Sequence, residues 1–306
     1  MRVLVLGAGG VGGYYGARLL EAGHEVAFLV RPARAERLRK NGLCVIRHAQ
    51  DTFARTVDVV TVVAPDSRYE LVMLSCKAYD LDTAIAAIAP AVGADTRVLP
   101  LLNGLRHLDA LDAAFGAIHV LGGLCHISLM LDDEGVIRQF GAMNHLAFGT
   151  RDRAQPVPAA IGAGLRGLGA NVVESPDIMQ AMWEKLVFIA ALAGLTCLLR
   201  GSVGEIVSTP EGTLLARRLY DECARIAERS GHAPRDAARA DAQRTLTMAA
   251  SPMKASMLRD LERGARTEGE HILGDMRERA RAHAVDTPLL SAALAHVRVY
   301  EASRAG

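Results

Sequence analysis

Residues 2–20 read RVLVLGAGGVGGYYGARLL: an apolar run, a glycine-rich turn and a helical stretch in immediate succession. In the turn, Gly7, Gly9 and Gly12 hold the G-x-G-x-x-G spacing, with Gly10 and Val11 between the last two. The first glycine permits the tight turn after a strand, the second lets a pyrophosphate approach the backbone, and the third lets the helix pack closely on the strand. The phosphates then meet the positive end of the helix. Glycines also serve ordinary turns, so the context decides. Here a second apolar run, Glu25 to Val30, completes a strand–helix–strand unit of the length that a dinucleotide requires.

The residues just after that second run bear on the choice of dinucleotide. Sites for NAD usually place an acid about 20 residues past the glycines, on the ribose 2′-hydroxyl. This chain has Arg31, with Arg34 nearby. A guanidinium pairs with the extra phosphate of NADP through its fork of donors, so the expected cofactor is NADP (NADPH). The plain alternative makes both arginines part of the charged helix start RPARAERLRK.

With 306 residues the chain is long enough for two domains. A net charge of +1 offers no field for nucleic acid or an anionic membrane surface. The five cysteines are odd in number, scattered, and form no C-x-x-C pair, which suggests neither a disulfide framework nor a zinc site. The ten histidines show no metal-ligand spacing. No signal-peptide layout is present, and the longest apolar run, Leu186 to Leu199, is short for a bilayer span. The expectation is a cytoplasmic protein with no metal, nucleic-acid or membrane partner. Only four of the 35 basic residues are lysines, Lys40, Lys77, Lys185 and Lys254. Lysine can give up a proton or shift its pKa on burial, whereas arginine effectively cannot, so these four are enriched candidates for proton chemistry.

Apolar runs at Val57–Val63, Leu71–Cys76, Val98–Leu102 and His119–Leu121 alternate with helical stretches such as Asp80–Ala91. This alternation predicts a parallel, doubly wound α/β sheet of Rossmann type. Cys125–Met130, Gly135–Phe140 and His145–Phe148 read as short strands extending that sheet in mixed fashion. From Pro176 the strand signals stop. Ser175 is placed to cap a helix with Pro176 at its first position, and helical pattern fills most of the remaining chain. The expected domains are therefore residues 1–175, binding the cofactor, and an all-helical residues 176–306, holding the substrate and offering an apolar surface for a homodimer.

Ligands of open α/β sheets bind outside the carboxyl ends of the strands. Lys77, after LVMLSC, and Asn103, after VLPLL, stand at such ends. Lys185 lies near the head of AMWEKLVFIAALAGLTCLL, where Ile189 and Ala193 follow on its face. Partial desolvation there would make it a better proton donor near neutral pH. The segment KASMLRDLERGARTEGEHILGDM carries Ser256, Glu268 and Glu270 in a charged helical run. Each of these residues alone also has a bland reading as a solvated or turn-forming position.

Taken together and in order, LGAGGVGGYYGARL with Arg31, SCKAYD, LLNGL, MWEKL and ASMLRDLERGARTEGEHILG resemble the ketopantoate reductase family, the NADPH-dependent 2-dehydropantoate 2-reductases. The resemblance spans nearly the whole chain. It implies a Rossmann domain, a helical domain and an active site in the cleft between them. It makes Gly7, Gly9, Gly10, Val11 and Gly12 the pyrophosphate turn, and Arg31 and Lys77 the contacts at the adenosine end. Asn103 then lies near nicotinamide and substrate, Lys185 donates a proton to the keto oxygen, Glu268 completes the substrate site and Ser256 meets the substrate carboxylate. The chain departs from the family pattern at Ile189 and Ala193, where the family's reductases usually present asparagines, and at Gly269 and Glu270. The resemblance thus implies reduction of a 2-oxo acid, either 2-dehydropantoate on the route to pantothenate and coenzyme A or, for a paralogue, a less polar substrate. A catalytically silent NADP-binding sensor would keep the glycines and Arg31 but lose the proton donor, and Lys185 and Glu268 are both present.

Overall fold

The computed structural model describes residues 1–48, 51–65 and 67–305. Contacts divide it into two compact units: Met1–Leu102 with His107–Met179, and Gln180–Gly306 with the short segment Asn103–Arg106.

In the first unit, β1 (Arg2–Leu6), β2 (Glu25–Leu29), β5 (Asp58–Val60), β6 (Leu71–Leu74) and β7 (Arg97–Pro100) form a parallel sheet in the order β5-β2-β1-β6-β7. The interior of β1 and all of β6 are buried, as expected for central parallel strands covered on both faces. The chain moves from β1 to β2 on one side and later to β6 on the other. That reversal creates the crevice at which open α/β sheets take ligands. Residues 119–121 add only an isolated bridge, Val98 to Val120, after a short 3-10 turn at Ala117–His119.

The later strands do not extend this sheet, contrary to the sequence-based expectation. Together with two earlier strands, β3 (Leu43–Ile46) and β4 (Thr52–Arg55), they form a second one in the order β10-β9-β3-β4, with β9 (Ile137–Gly149) and β10 (Val172–Glu174), and with β8 (Gly122–Leu131) paired antiparallel to β9. The physical reason is α1 (Gly10–Glu21), which contacts strands of both sheets. A Cβ on Gly16 would lie 2.4 Å from the Phe28 ring of β2, and one on Gly13 would lie 2.2 Å from Ile137 of β9. The Tyr15 hydroxyl donates to Asn144 Oδ1 at 3.1 Å, and Asn144 Nδ2 donates to the Tyr14 hydroxyl at 2.8 Å. The run GGYYG thus seats one helix between two layers. Helices α2 (Pro32–Asn41), α3 (Leu81–Ile88), α4 (Arg106–Phe115) and α5 (Ala159–Arg166) complete the first unit, α4 beginning at its boundary.

The described residues of the second unit contain no strand. They form most of α6 (Ile178–Leu199), then α7 (Val203–Val207), α8 (Gly212–Arg229), α9 (Asp236–Leu246), α10 (Ser256–Glu262), α11 (Asp275–Ala282) and α12 (Pro288–Ala305), with a π-helical turn at Glu270–Gly274. Ser175 does not cap α6 as expected. Its hydroxyl accepts the Asp177 N–H at 3.3 Å, and the helix begins at Ile178. By length and composition α6 could cross a bilayer, but 67% of its apolar window is buried inside the protein, which makes it a core helix.

Candidate functional site

The cofactor half of the site is built where β1 ends. Gly7 has φ +92°, the left-handed region that favours glycine, and its N–H donates to the Leu29 carbonyl of the neighbouring strand at 2.9 Å. A Cβ on Gly12 would lie 2.1 Å from the Gly7 carbonyl oxygen and 2.2 Å from Ser75 Oγ, so only glycine lets α1 start this close to the strand. Gly9, by contrast, has nothing within 4 Å of where its Cβ would stand. One glycine bends the chain, one closes the packing and one leaves its face open, which is the division of labour a pyrophosphate cradle needs. Ser75 is a participant with no signal of its own in the sequence. Its hydroxyl donates to the Leu6 carbonyl at 2.9 Å and lies 3.3 Å from that of Gly7, bracing the turn from the end of β6.

Around the turn lies a pocket of about 540 Å³ lined by Gly7, Ala8, Gly9, Arg31, Asp80 and Thr83 among others. Gly10, Val11 and Gly12 open α1 beside it. Arg31 is the N-cap residue of α2, with Pro32 at the first helical position, and three-quarters of its side chain is exposed. Arg34 also lines the pocket, but its guanidinium is committed to the fold: Nε and Nη2 donate to the Ala8 carbonyl and Nη1 to that of Gly135. Lys77 precedes the short 3-10 turn Ala78–Asp80, and its carbonyl accepts the Asp80 N–H at 2.9 Å. The cradle, the helix start and the exposed Arg31 guanidinium fit a dinucleotide.

In the second unit, the residues flanking Lys185 fix α6. Trp183 stacks on His232 at 5.3 Å and lies under the Arg279 guanidinium at 5.0 Å. Glu184 accepts from Arg235 through Nε at 2.7 Å, Nη2 at 2.6 Å and the backbone N–H at 3.0 Å. Burial pushes the Glu184 carboxyl up, and the bonds from Arg235 and Gln180 outweigh it and hold it below its usual range. Lys185 itself stands well inside the helix and is half-buried, rather than reaching out from the helix end. Ile189 is half-buried and Ala193 is buried.

Glu268 is buried, between fixed neighbours. The Thr267 N–H donates to Glu301 at 2.6 Å, and the Glu268 carbonyl accepts from Ile272 at 3.0 Å. The departures from the family pattern next to it have local causes. A Cβ on Gly269 would lie 2.4 Å from Val297 of α12, and Glu270 takes two bonds from Arg298 of the same helix, at 2.6 and 2.9 Å. Glu270 therefore anchors the π-helical turn. The next residue, His271, has no role that spacing alone assigns. Its ring is hydrogen-bonded to the Asn103 backbone, with Glu268, Asp275 and Arg106 as charged neighbours. Burial outweighs the acids and pulls its pKa below the ordinary 6.5. The second unit thus bonds the Asn103 backbone to a histidine that also feels the Glu268 charge. Ser256 is exposed at the first residue of α10.

A glycine cradle on a doubly wound sheet, followed by a helical unit, defines a dinucleotide-binding protein, and the family it matches makes it a nicotinamide-dependent oxidoreductase. Residues 3–153 match the family model described as ketopantoate reductase PanE/ApbA, and residues 177–301 match its C-terminal partner. The chain belongs to the ketopantoate reductase family. It is 36% identical over 306 residues to the uncharacterized oxidoreductase YkpB of Bacillus subtilis, covering 99% of this chain and 100% of that protein. To the 2-dehydropantoate 2-reductase of Halobacterium salinarum it is 30% identical over 297 residues, 95% of each. Its fold is like that of D-mandelate dehydrogenase solved with NADH and anilino(oxo)acetate, at TM-score 0.89 and 21% identity, covering 100% of this chain and 99% of that one.

Proposed function

We propose that the protein reduces 2-dehydropantoate to pantoate with NADPH, in the formation of pantothenate and coenzyme A. The observation that carries this reading is Lys185, kept half-buried on a helix whose neighbouring side chains are locked, in a chain that also builds the glycine cradle. When bound, the reduced nicotinamide supplies the hydride. Gly7, Gly9, Gly10, Val11 and Gly12 would hold its pyrophosphate, Arg31 and Lys77 its adenosine end, and Asn103 its nicotinamide end. As the carbonyl carbon gains a hydride, its oxygen gains negative charge, which the Lys185 ammonium neutralises by giving up a proton. Glu268 completes the substrate site, and Ser256 contacts the carboxylate.

Ile189 and Ala193 favour a second reading, a paralogous reductase of a less polar 2-oxo acid. A site that hydrogen-bonds a substrate hydroxyl rejects analogues lacking it, and apolar side chains cannot make that distinction. The test is NADPH oxidation, followed by absorbance, with 2-dehydropantoate and a panel of 2-oxo acids, for the wild type and Lys185→Ala. Turnover of 2-dehydropantoate that collapses in the variant supports the first reading. Turnover of other 2-oxo acids alone moves the protein to the second.

A further inference from the structure

The cofactor pocket contains an acid that a pure phosphate site would exclude. Asp80 closes the 3-10 turn after β6, lines the pocket, and pairs with Arg31 through Oδ1 and Nη2 at 2.9 Å. Arg31 is three-quarters exposed and Asp80 one-third, so the pair contributes little to the fold. Its consequence lies in what each group offers a ligand. A 2′-phosphate would have to take Arg31 from the carboxylate and would then stand near a like charge. A 2′-hydroxyl would instead find in Asp80 a carboxylate acceptor, reached from the end of β6 rather than from β2, where NAD sites usually carry it. Arg34, the other arginine of the pocket, spends three of its five N–H donors on the Ala8 and Gly135 carbonyls, so it compensates only in part.

We propose that Asp80 is the specificity-determining residue of the adenosine end, restraining Arg31 and letting NADH compete with NADPH. This rests on the cofactor reading above, and it changes which form of the cofactor the chain accepts.

The experiment measures Kd for NADPH and for NADH separately, by nicotinamide fluorescence, on the full-length wild type, Asp80→Asn and Arg31→Ala, with thermal midpoints as a control for folding. No substrate or turnover is needed. The wild-type constants are expected within about tenfold of each other, since the Asp80 carboxylate offsets much of the Arg31 charge that would favour the phosphate. Asp80→Asn is expected to tighten NADPH about tenfold and to weaken NADH, while Arg31→Ala weakens NADPH and spares NADH, as removal of one charge near a phosphate predicts. Equal effects of Asp80→Asn on both cofactors, or none, in a protein that binds both would overturn the proposal and leave the cofactor reading standing. A wild type that binds neither would overturn both.

Discussion

His271 occupies the space that a side chain on residue 104 would need. A Cβ on Gly104 would lie 3.0 Å from the imidazole Cδ2 and 3.1 Å from Nε2, and Gly104 has φ +86°. The same ring is hydrogen-bonded to the Asn103 backbone. The Asn-Gly pair is therefore shaped by its contact with the π-helical turn as well as by its own turn propensity. That gives the segment leading into Arg106 a fixed seat against His271.

Gly104→Ala should destabilise the protein by about 1–3 kcal/mol, from left-handed strain together with the crowded ring. Combining it with His271→Ala should recover the steric share and leave the backbone share. The double variant would then be more stable than the sum of the single losses predicts. Urea denaturation of the four proteins measures this, and strict additivity would show that the ring contact has no weight.

The depressed pKa of His271 carries a pH signature. The unfolded chain takes up this proton near 6.5, while the folded protein resists it because the ring is buried. The folded form thus binds fewer protons in that window. Its stability is full above 6.5 and declines as pH falls through the lower folded value. Urea midpoints measured from about pH 7.5 downward should show this decline in the wild type, and His271→Gln, which cannot titrate, should show less of it.

Much of the first unit is legible in the sequence because its causes are local. The strand before Gly7, the helix after Gly12 and the apolar run at Glu25 all lie within a few turns of one another. The second sheet is not, because β3, β4 and β10 are runs of only three or four residues, and β3 and β10 join the sheet through β9, which lies far along the chain from β3. β9 reads as two strands in the sequence. Its pairing with β8 jumps from Ile127–Asn144 to Ser128–Phe140, so Gly141–Met143 bulge out of a single continuous strand. The same distance hides the helpers of the site. Ser75 braces a turn 68 residues earlier, and Asp80 and His271 acquire partners only once the chain has folded.

The glycine turn separates folding from binding. Gly9 is extended and open, so Gly9→Ala should leave the thermal midpoint unchanged while weakening NADPH about tenfold or more, because the new methyl group stands where backbone must approach phosphate. Gly12→Ala puts a methyl group into the Gly7 carbonyl and Ser75, and should lower both the midpoint and the affinity. Calorimetry and NADPH titration distinguish the two. A Gly9→Ala protein that binds NADPH normally would remove the cradle from this turn.

The Glu184–Arg235 pair should matter for both stability and rate, because Glu184 directly precedes Lys185. Its side chain is only 11% exposed, whereas that of Arg235 is 64% exposed, so the acid depends on the arginine for partners. Arg235→Ala removes both guanidinium bonds and leaves that carboxylate with the Gln180 amide and the backbone N–H of residue 235. The expected cost is about 1.5–3 kcal/mol near neutral pH, the range for hydrogen bonds to a charged group. Because the pair holds the Glu184 carboxyl below its ordinary 4.5, this contribution is present above 4.5 and fades as pH falls through the lower folded value. The wild type and the variant should therefore converge in urea midpoint in acid. With NADPH affinity as control, kcat should fall while the cofactor Kd stays constant, since the damage lies on α6. A loss confined to cofactor affinity would detach this pair from the placement of Lys185.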